Sequence, residues 1–248
     1  MRARDVLRRL ARRAVPLELR QTMAQRRRAR RDLAEGAAFH CARGGDEWPV
    51  AVALWQPVMP SAVLEAKLSN LCRGAALLDR AVIEPGGRWS FWSEVGRPTA
   101  RSGFREGRNL VDGRLVRQVG GGLCQLSGLV HHLALLAGLE VVERHAHSID
   151  IYREEERHTP LGADATVVWG FKDLRLRNPH PFAVSLGCSV EGHRLHGHVR
   201  GAGAITARNV TFVREPVSPR RIRVVTEVDG VAAGATVYEQ QPGLGIGE

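Results

Sequence analysis

Cysteine is scarce in this sequence, with four residues among 248, and no two of them form a C-x-x-C pair. The scattered positions Cys41, Cys72, Cys124 and Cys188 predict neither a disulfide framework nor a cysteine-rich zinc module. No apolar run reaches the roughly 18 residues of a membrane span, and arginines interrupt the N-terminus where a secretory signal has its apolar segment. From these absences we expect a cytoplasmic protein.

Positive charge is plentiful but confined to one end. Residues 1–35 hold twelve arginines against four acidic residues, a balance of +8, which leaves only +2 of the total +10 for the rest of the chain. The protein therefore lacks the broad basic field of a nucleic-acid binder, and no specific nucleic-acid partner is predicted.

The basic arm allows two interpretations. Apolar residues fall near helical spacing between the arginines; they are Val6, Leu7, Leu10, Ala14 and Leu17. A helix with this pattern can bind peripherally to the anionic inner face of a membrane. The alternative, a solvated basic tail, is favoured because such arms are common.

The remainder predicts an α+β fold. The hydrophobic content of the whole chain, 44%, is enough for a core without disulfides. One helix stands out, with Leu126, Leu129, Val130, Leu133 and Leu136 on one face and Gly138 as its stop. The flanking segments predict strands, including residues 139–149 and ATVVWGF at 165–171, and Asp-Gly turns at 112–113 and 229–230 predict hairpins.

These elements predict a central helix, with a cysteine at its N-terminus, packed on a bent antiparallel sheet, together with an N-terminal helical region. The expected organisation is an Arg-rich arm at 1–35, a main domain at 36–200 and a C-terminal β-hairpin extension at 201–248.

The helix begins with the motif GGGLCQLS. Cys124 occupies its first turn, where free N–H groups and the helix dipole stabilise a thiolate. Glycines 120–122 let backbone approach a substrate closely, and the N–H groups of Cys124 and Gln125 are candidate donors to an oxyanion. The competing interpretation is structural: a buried thiol behind a tight turn.

A base and an orienting acid follow Cys124 in the chain. His145 and His147 share one face of the predicted strand with Glu143, and His147 is preferred because it lies farther back toward the helix start. His131 lies about 10.5 Å along the helix from the thiol, which is too far for direct proton transfer. Asp164 is the predicted orienting group, with Asp150 and Asp173 as alternatives.

The same residues allow a metal interpretation, because Cys124, His145, His147 and Asp164 suit zinc. His193, His196 and His198 form a second group, which exposed positions on a β-hairpin explain more simply. No P-loop, dinucleotide fingerprint, EF-hand or HExxH motif occurs. We therefore assign neither a metal nor a cofactor.

From about residue 65 to 200 the sequence resembles the VanW family. The resemblance rests on LSNLCRGAALLDRAVIEPGGRWSFWSEVG, GGGLCQLSGLVHHLALLAGLEVVERHAHS and DATVVWGFKDLRLRN. The motif positions are Gly120, Gly121, Gly122, Cys124, Gln125, Ser127, Glu143, Arg144, His145, His147, Ser148, Asp164, Asp173 and Asn178. The resemblance implies a link to glycopeptide resistance or cell-envelope biology. It implies no settled reaction.

The core is also similar, more weakly, to transglutaminase-like and papain-like cysteine enzymes, which implies Cys124 as nucleophile, His147 as base and Asp164 as orienting group. We predict catalytic roles for these three residues with His145 and Gln125. Substrate-binding positions are predicted at Gly120, Gly121, Gly122, Ser127, Glu143 and Arg144.

The functional hypothesis is acyl transfer or amide hydrolysis by a thiol on a peptide-like or cell-wall precursor substrate. The alternative is a non-enzymatic module that binds a muropeptide or a glycopeptide.

Overall fold

The structure is a computed structural model that describes residues 15–39, 41–111, 114–151 and 157–241. The predicted turn at Asp112-Gly113 and the apolar arm positions from Val6 to Ala14 lie outside the described residues.

The elements confirm the predicted α+β class. The helices are α1 (Leu17–Ala34), α2 (Leu64–Leu78), α3 (Phe91–Val95) and α4 (Leu123–Leu136). The strands are β1 (Ala42–Arg43), β2 (Val50–Pro57), β3 (Ala81–Ile83), β4 (Arg88–Ser90), β5 (Glu106–Val111), β6 (Arg114–Val119), β7 (Glu140–Glu143), β8 (Ile149–Asp150), β9 (Arg175–Arg177), β10 (Val184–Glu191), β11 (Arg194–Gly201), β12 (Val210–Ser218), β13 (Arg221–Val228) and β14 (Val231–Gln240).

Four sheets are formed by the described strands. The largest is antiparallel with the order β1-β3-β10-β11-β2, the second has the order β12-β13-β14-β8, and β4-β9-β7 and β5-β6 complete the set. Only β14 and β8 pair in parallel. The predicted hairpin at the C-terminus is present as β13 and β14, and its turn residues Asp229 and Gly230 both have positive φ, as an Asp-Gly hairpin turn requires.

Helix α4 is the centre of the core, as its periodicity predicts. Leu126, Leu129 and Leu133 are fully buried. The helix packs against β11, where a side chain at Gly197 would collide with Leu129 and Leu133. It ends where predicted, because the left-handed Gly138 lets the N–H of Leu139 return to Ala134 O at 2.8 Å.

Two predicted strands are wrong. The strand at 139–149 ends at Glu143, so His145 and His147 do not share a strand face, and β7 gives way to irregular backbone. Residues 165–171 form only an isolated bridge between Val168 and Lys172. Residues 165–171 do not pair as a strand because the carbonyl groups of Ala165 and Val167 accept hydrogen bonds from side chains of α4.

Helix α1 lies against the main domain through polar groups. Gln21 is its only buried residue, whereas Leu19, Met23 and Leu33 are exposed. None of the helices in the described ranges is both long enough and apolar enough to cross a membrane.

Candidate functional site

The three glycines before α4 are required by close packing. A Cβ at Gly121 would lie 2.3 Å from the carbonyl carbon of Gly107, which is closer than atoms can approach. Gly120 and Gly122 adopt left-handed φ of 86° and 101°, a conformation that glycine reaches without strain. The motif therefore presses the start of α4 against the β5–β6 hairpin and fixes the position of the cysteine.

Cys124 is the second residue of α4 and is partly buried. Its Sγ lies 3.8 Å from Val167 O. The Gln125 N–H already donates to Gly122 O at 2.9 Å, and the Gln125 side chain donates to Pro57 O at 2.9 Å. Among the described residues no backbone acceptor takes the Cys124 N–H, so this group is the free donor of the predicted pair.

Residues 163–167 run along α4 in the opposite direction. Three side chains of the helix bind alternate carbonyl groups of this segment: Cys124 binds Val167 O, Ser127 binds Ala165 O at 2.7 Å, and His131 Nδ1 lies 2.8 Å from Ala163 O. The carbonyl groups of Ala163, Ala165 and Val167 point toward α4, and Asp164 and Thr166 are the residues between them. Ser127 is fully buried against this segment.

Asp164 accepts four hydrogen bonds, which leaves its carboxylate fixed in position. One oxygen, Oδ2, accepts from His147 N at 2.7 Å and pairs with His147 Nδ1 at 2.8 Å. The other, Oδ1, accepts from Arg144 Nη2 at 3.0 Å and from Tyr238 OH at 2.5 Å. Burial raises the Asp164 pKa, but the hydrogen bond and charge of His147 and the charge of Arg144 outweigh it, so the pKa lies far below its ordinary value.

The imidazole of His147 links this carboxylate to the thiol. Its Nδ1 faces Asp164, and the ring lies close enough to Cys124 for the two groups to shift each other's pKa. Burial lowers the His147 pKa, but Asp164 and Cys124 more than reverse this and raise it to about 10. Burial raises the Cys124 pKa, whereas His147 lowers it, and the net shift is downward. Both shifts favour the charged form of the group concerned, the thiolate of Cys124 and the imidazolium of His147.

The other predicted residues form a separate cluster. Glu143 Oε1 lies 2.9 Å from His145 Nε2, and Glu143 Oε2 forms an ion pair with Arg28 of α1. Burial raises the Glu143 pKa, but His145 and Arg28 outweigh it and lower the pKa to about 2. His145 thus contacts Glu143, and of the two histidines His147 is the one that contacts Asp164.

The zinc alternative concerns the same side chains. In the part of the chain that the structure describes, no three His, Cys, Asp or Glu side chains come together as a metal site, and this covers His193, His196 and His198. His131 is buried away from this chemistry; desolvation and the charge of Arg144 lower its pKa to about 4.

Tyr238 and helix α1 contribute to the site, although the sequence did not predict either of them there. Tyr238 of β14 is fully buried and holds Asp164, although it lies 74 residues away in sequence. Helix α1 borders a pocket of about 300 Å³ that contains Cys124. A tyrosine in a strand and a polar helix give no sequence signal for such roles.

Fold and site together define a class: an α+β protein in which a cysteine at a helix start lies beside a histidine that an aspartate holds. The profile described as VanW like protein matches residues 66–200. The chain belongs to this family.

Two relatives extend the match. The chain is 28% identical to the Vancomycin B-type resistance protein VanW of Enterococcus faecalis over 184 residues, which cover 74% of this chain and 65% of that protein. It is 33% identical to the Uncharacterized protein YoaR of Bacillus subtilis over 116 residues, covering 47% of this chain and 37% of that protein. The chain therefore spans less than two thirds of each relative's length. No solved structure is significantly similar to it.

Proposed function

We propose that the protein catalyses acyl transfer or amide hydrolysis on a peptide-like substrate, with Cys124 as nucleophile, His147 as proton carrier and Asp164 as orienting group. The observation that carries the proposal is the His147 imidazole, bound through Nδ1 to Asp164 at 2.8 Å, beside a thiol of lowered pKa. A histidine fixed by a carboxylate and paired with a cysteine is the arrangement that activates thiol nucleophiles.

The reaction has two halves. The Cys124 thiolate attacks the acyl carbon, a C–S bond forms, and the N–H of Cys124 donates to the oxyanion. When the intermediate collapses, the C–N bond breaks and the amine leaves with the proton of the His147 imidazolium. Water or an acceptor amine then attacks the thioester while His147 takes its proton, and the thiolate is restored.

The proposed substrate class is supported by the name of one relative. Because one of them is named a vancomycin resistance protein, we place this activity on a peptide-like cell-wall precursor and link it to glycopeptide resistance. The other relative's name adds nothing to this assignment.

The basic arm is proposed to contact an anionic membrane. The outward face of α1 carries exposed arginines, among them Arg26, Arg27, Arg30 and Arg31, beside exposed Leu19 and Met23. Such a face binds anionic lipid through charge and apolar contact. Co-sedimentation with phosphatidylglycerol vesicles, reduced when the four arginines are replaced by glutamine, tests this; equal binding to neutral vesicles contradicts it.

The catalytic proposal is tested by thiol reactivity. At pH 6 we expect methyl methanethiosulfonate to modify Cys124 at least about tenfold faster than the exposed Cys72, because His147 lowers the pKa of the Cys124 thiol and so increases its thiolate fraction. Mass spectrometry of peptides measures both rates in one sample, and Cys124→Ala removes only the fast reaction. A Cys124 that reacts no faster than Cys72 contradicts the proposal, and muropeptide binding that survives Cys124→Ala then favours a binding module.

A further inference from the structure

The pocket at Cys124 contains two polar side chains without partners. The Thr166 hydroxyl is buried, and no group in the described residues hydrogen-bonds to it. Gln21 of α1 is 8% exposed, and its side-chain amide bonds to none of the residues described but keeps some contact with solvent. Both residues line the same pocket as Cys124. The buried, unpaired Thr166 hydroxyl destabilises the protein, and a ligand group that pairs with it recovers this free energy, while the Gln21 amide is available to the same ligand.

The same pocket has an aromatic wall. The rings of Trp92 and Trp169 meet edge to face with centroids 5.6 Å apart, and both residues line the cavity. The Trp92 indole N–H donates to Lys172 O at 2.7 Å, so its polar group is satisfied. The pocket thus combines an apolar surface with an amide and a hydroxyl, which suits a peptide with an apolar side chain, and the Arg97–Glu18 ion pair also lines it.

Helix α1 is held in place by specific contacts. Asp32 accepts two hydrogen bonds from Arg175, at 2.7 and 2.9 Å, and Arg28 pairs with Glu143. Gly170 lies so close to α1 that a Cβ there would be 2.4 Å from Gln21 O. These contacts fix Gln21 at the pocket, and Glu143 lies four residues before His147, so α1 is anchored to the segment that carries the base.

We propose that α1 forms one wall of the substrate site, where Gln21 and Thr166 bind a backbone amide of the substrate and Trp92 and Trp169 contact its apolar side chain. This inference rests on the proposed function, since it places the ligand at the same thiol. Gln21 lies outside the matched range 66–200, so this wall is not given by the family match.

The experiment compares two chloromethyl ketones of equal length in their rate of Cys124 alkylation. One is N-acetyl-alanyl-alanyl chloromethyl ketone, which carries backbone amides, and the other is an alkyl chloromethyl ketone without them. We expect Gln21→Met and Thr166→Val each to lower the rate with the peptide reagent about fivefold to tenfold, the effect of one lost hydrogen bond, and to leave the alkyl reagent within about twofold. Gln25→Met, one turn along α1 and outside the pocket, is the matched control.

The outcomes separate the inference from the proposed function. If both reagents slow equally in the Gln21 and Thr166 variants, these residues only support the fold and the inference is overturned. The same holds if neither reagent slows while methyl methanethiosulfonate still modifies Cys124 rapidly. If methyl methanethiosulfonate shows no fast reaction in the wild-type protein, the thiol chemistry itself fails. Thermal unfolding of each variant verifies folding, and Thr166→Val is expected to unfold no lower than wild type because it removes an unpaired hydroxyl.

Discussion

Replacing Asp164 by asparagine tests the centre of the site. The carboxylate accepts from the backbone and imidazole of His147, from Arg144 and from Tyr238. Asparagine keeps the shape but loses the charge, and its NH₂ group faces donors in place of an acceptor oxygen. Arg144 then remains without its anionic partner.

The expected loss of stability follows from burial. Removing one partner of a fully buried ion pair costs about 3–5 kcal/mol. The side chains of Asp164 and Arg144 are 22% and 15% exposed, so solvent screens part of the interaction. We therefore expect a loss of about 2–3 kcal/mol, which for a chain of this size lowers Tm by about 5–10 °C.

The chemical effect is separate from the loss of stability. Without the carboxylate the His147 pKa falls from about 10, so His147 stabilises the thiolate less. We expect the rate of Cys124 modification at pH 6 to fall at least about tenfold, the change that one pKa unit produces.

Calorimetry and thiol labelling measure the two effects. The matched control is Asp229→Asn, since Asp229 accepts from Arg208 and from Asn209 N in an exposed turn and asparagine tolerates its φ of 52°. That variant is expected to unfold within about 2 °C of wild type. A wild-type Tm and labelling rate in the Asp164 variant would refute the conclusion that this carboxylate holds His147.

Four further predictions concern the site and its supports. Tyr238→Phe removes one donor to a charged carboxylate, so we expect a loss of about 1.5–3 kcal/mol in urea unfolding; unchanged stability would argue against the 2.5 Å bond. The labelling rate of Cys124 is expected to reach its maximum at a lower pH than that of a free thiol, because His147, whose own pKa is raised to about 10, lowers the thiol pKa; a pH profile like that of a free thiol would contradict this. The stability contributed by charged His147 is complete below about pH 6.5 and is lost as pH rises through 10, which pH-dependent unfolding of the wild-type protein measures; in Cys124→Ala, which lacks one cause of the raised pKa, the loss is expected at lower pH. Gly121→Ala is expected to destabilise the protein by more than about 3 kcal/mol, since its Cβ meets backbone, while Gly234→Ala, with open space around it, changes little; similar Tm values for the two would contradict the packing argument.

Local patterns predicted a good part of this molecule. The periodic leucines of α4, its glycine stop and the Asp229-Gly230 hairpin all follow from short-range rules of burial and backbone conformation. The position of Cys124 at a helix start was predictable for the same reason, because three glycines and an apolar run mark that boundary.

The errors arose where side chains compete for backbone groups. Residues 165–171 have the composition of a strand, yet Ser127 and Cys124 take their carbonyl groups. No local pattern reveals that competition, because the competing residues lie about 40 residues earlier in the chain.

The sequence alone determined the central helix, the thiol at its start and the order of histidine and aspartate after it, since each depends on residues close together in the chain. Tertiary structure decided which histidine faces the thiol, and it brought Tyr238 and Gln21 to the site. These choices depend on packing between segments up to about 100 residues apart, where burial and hydrogen bonding select the partners and local propensity has no influence.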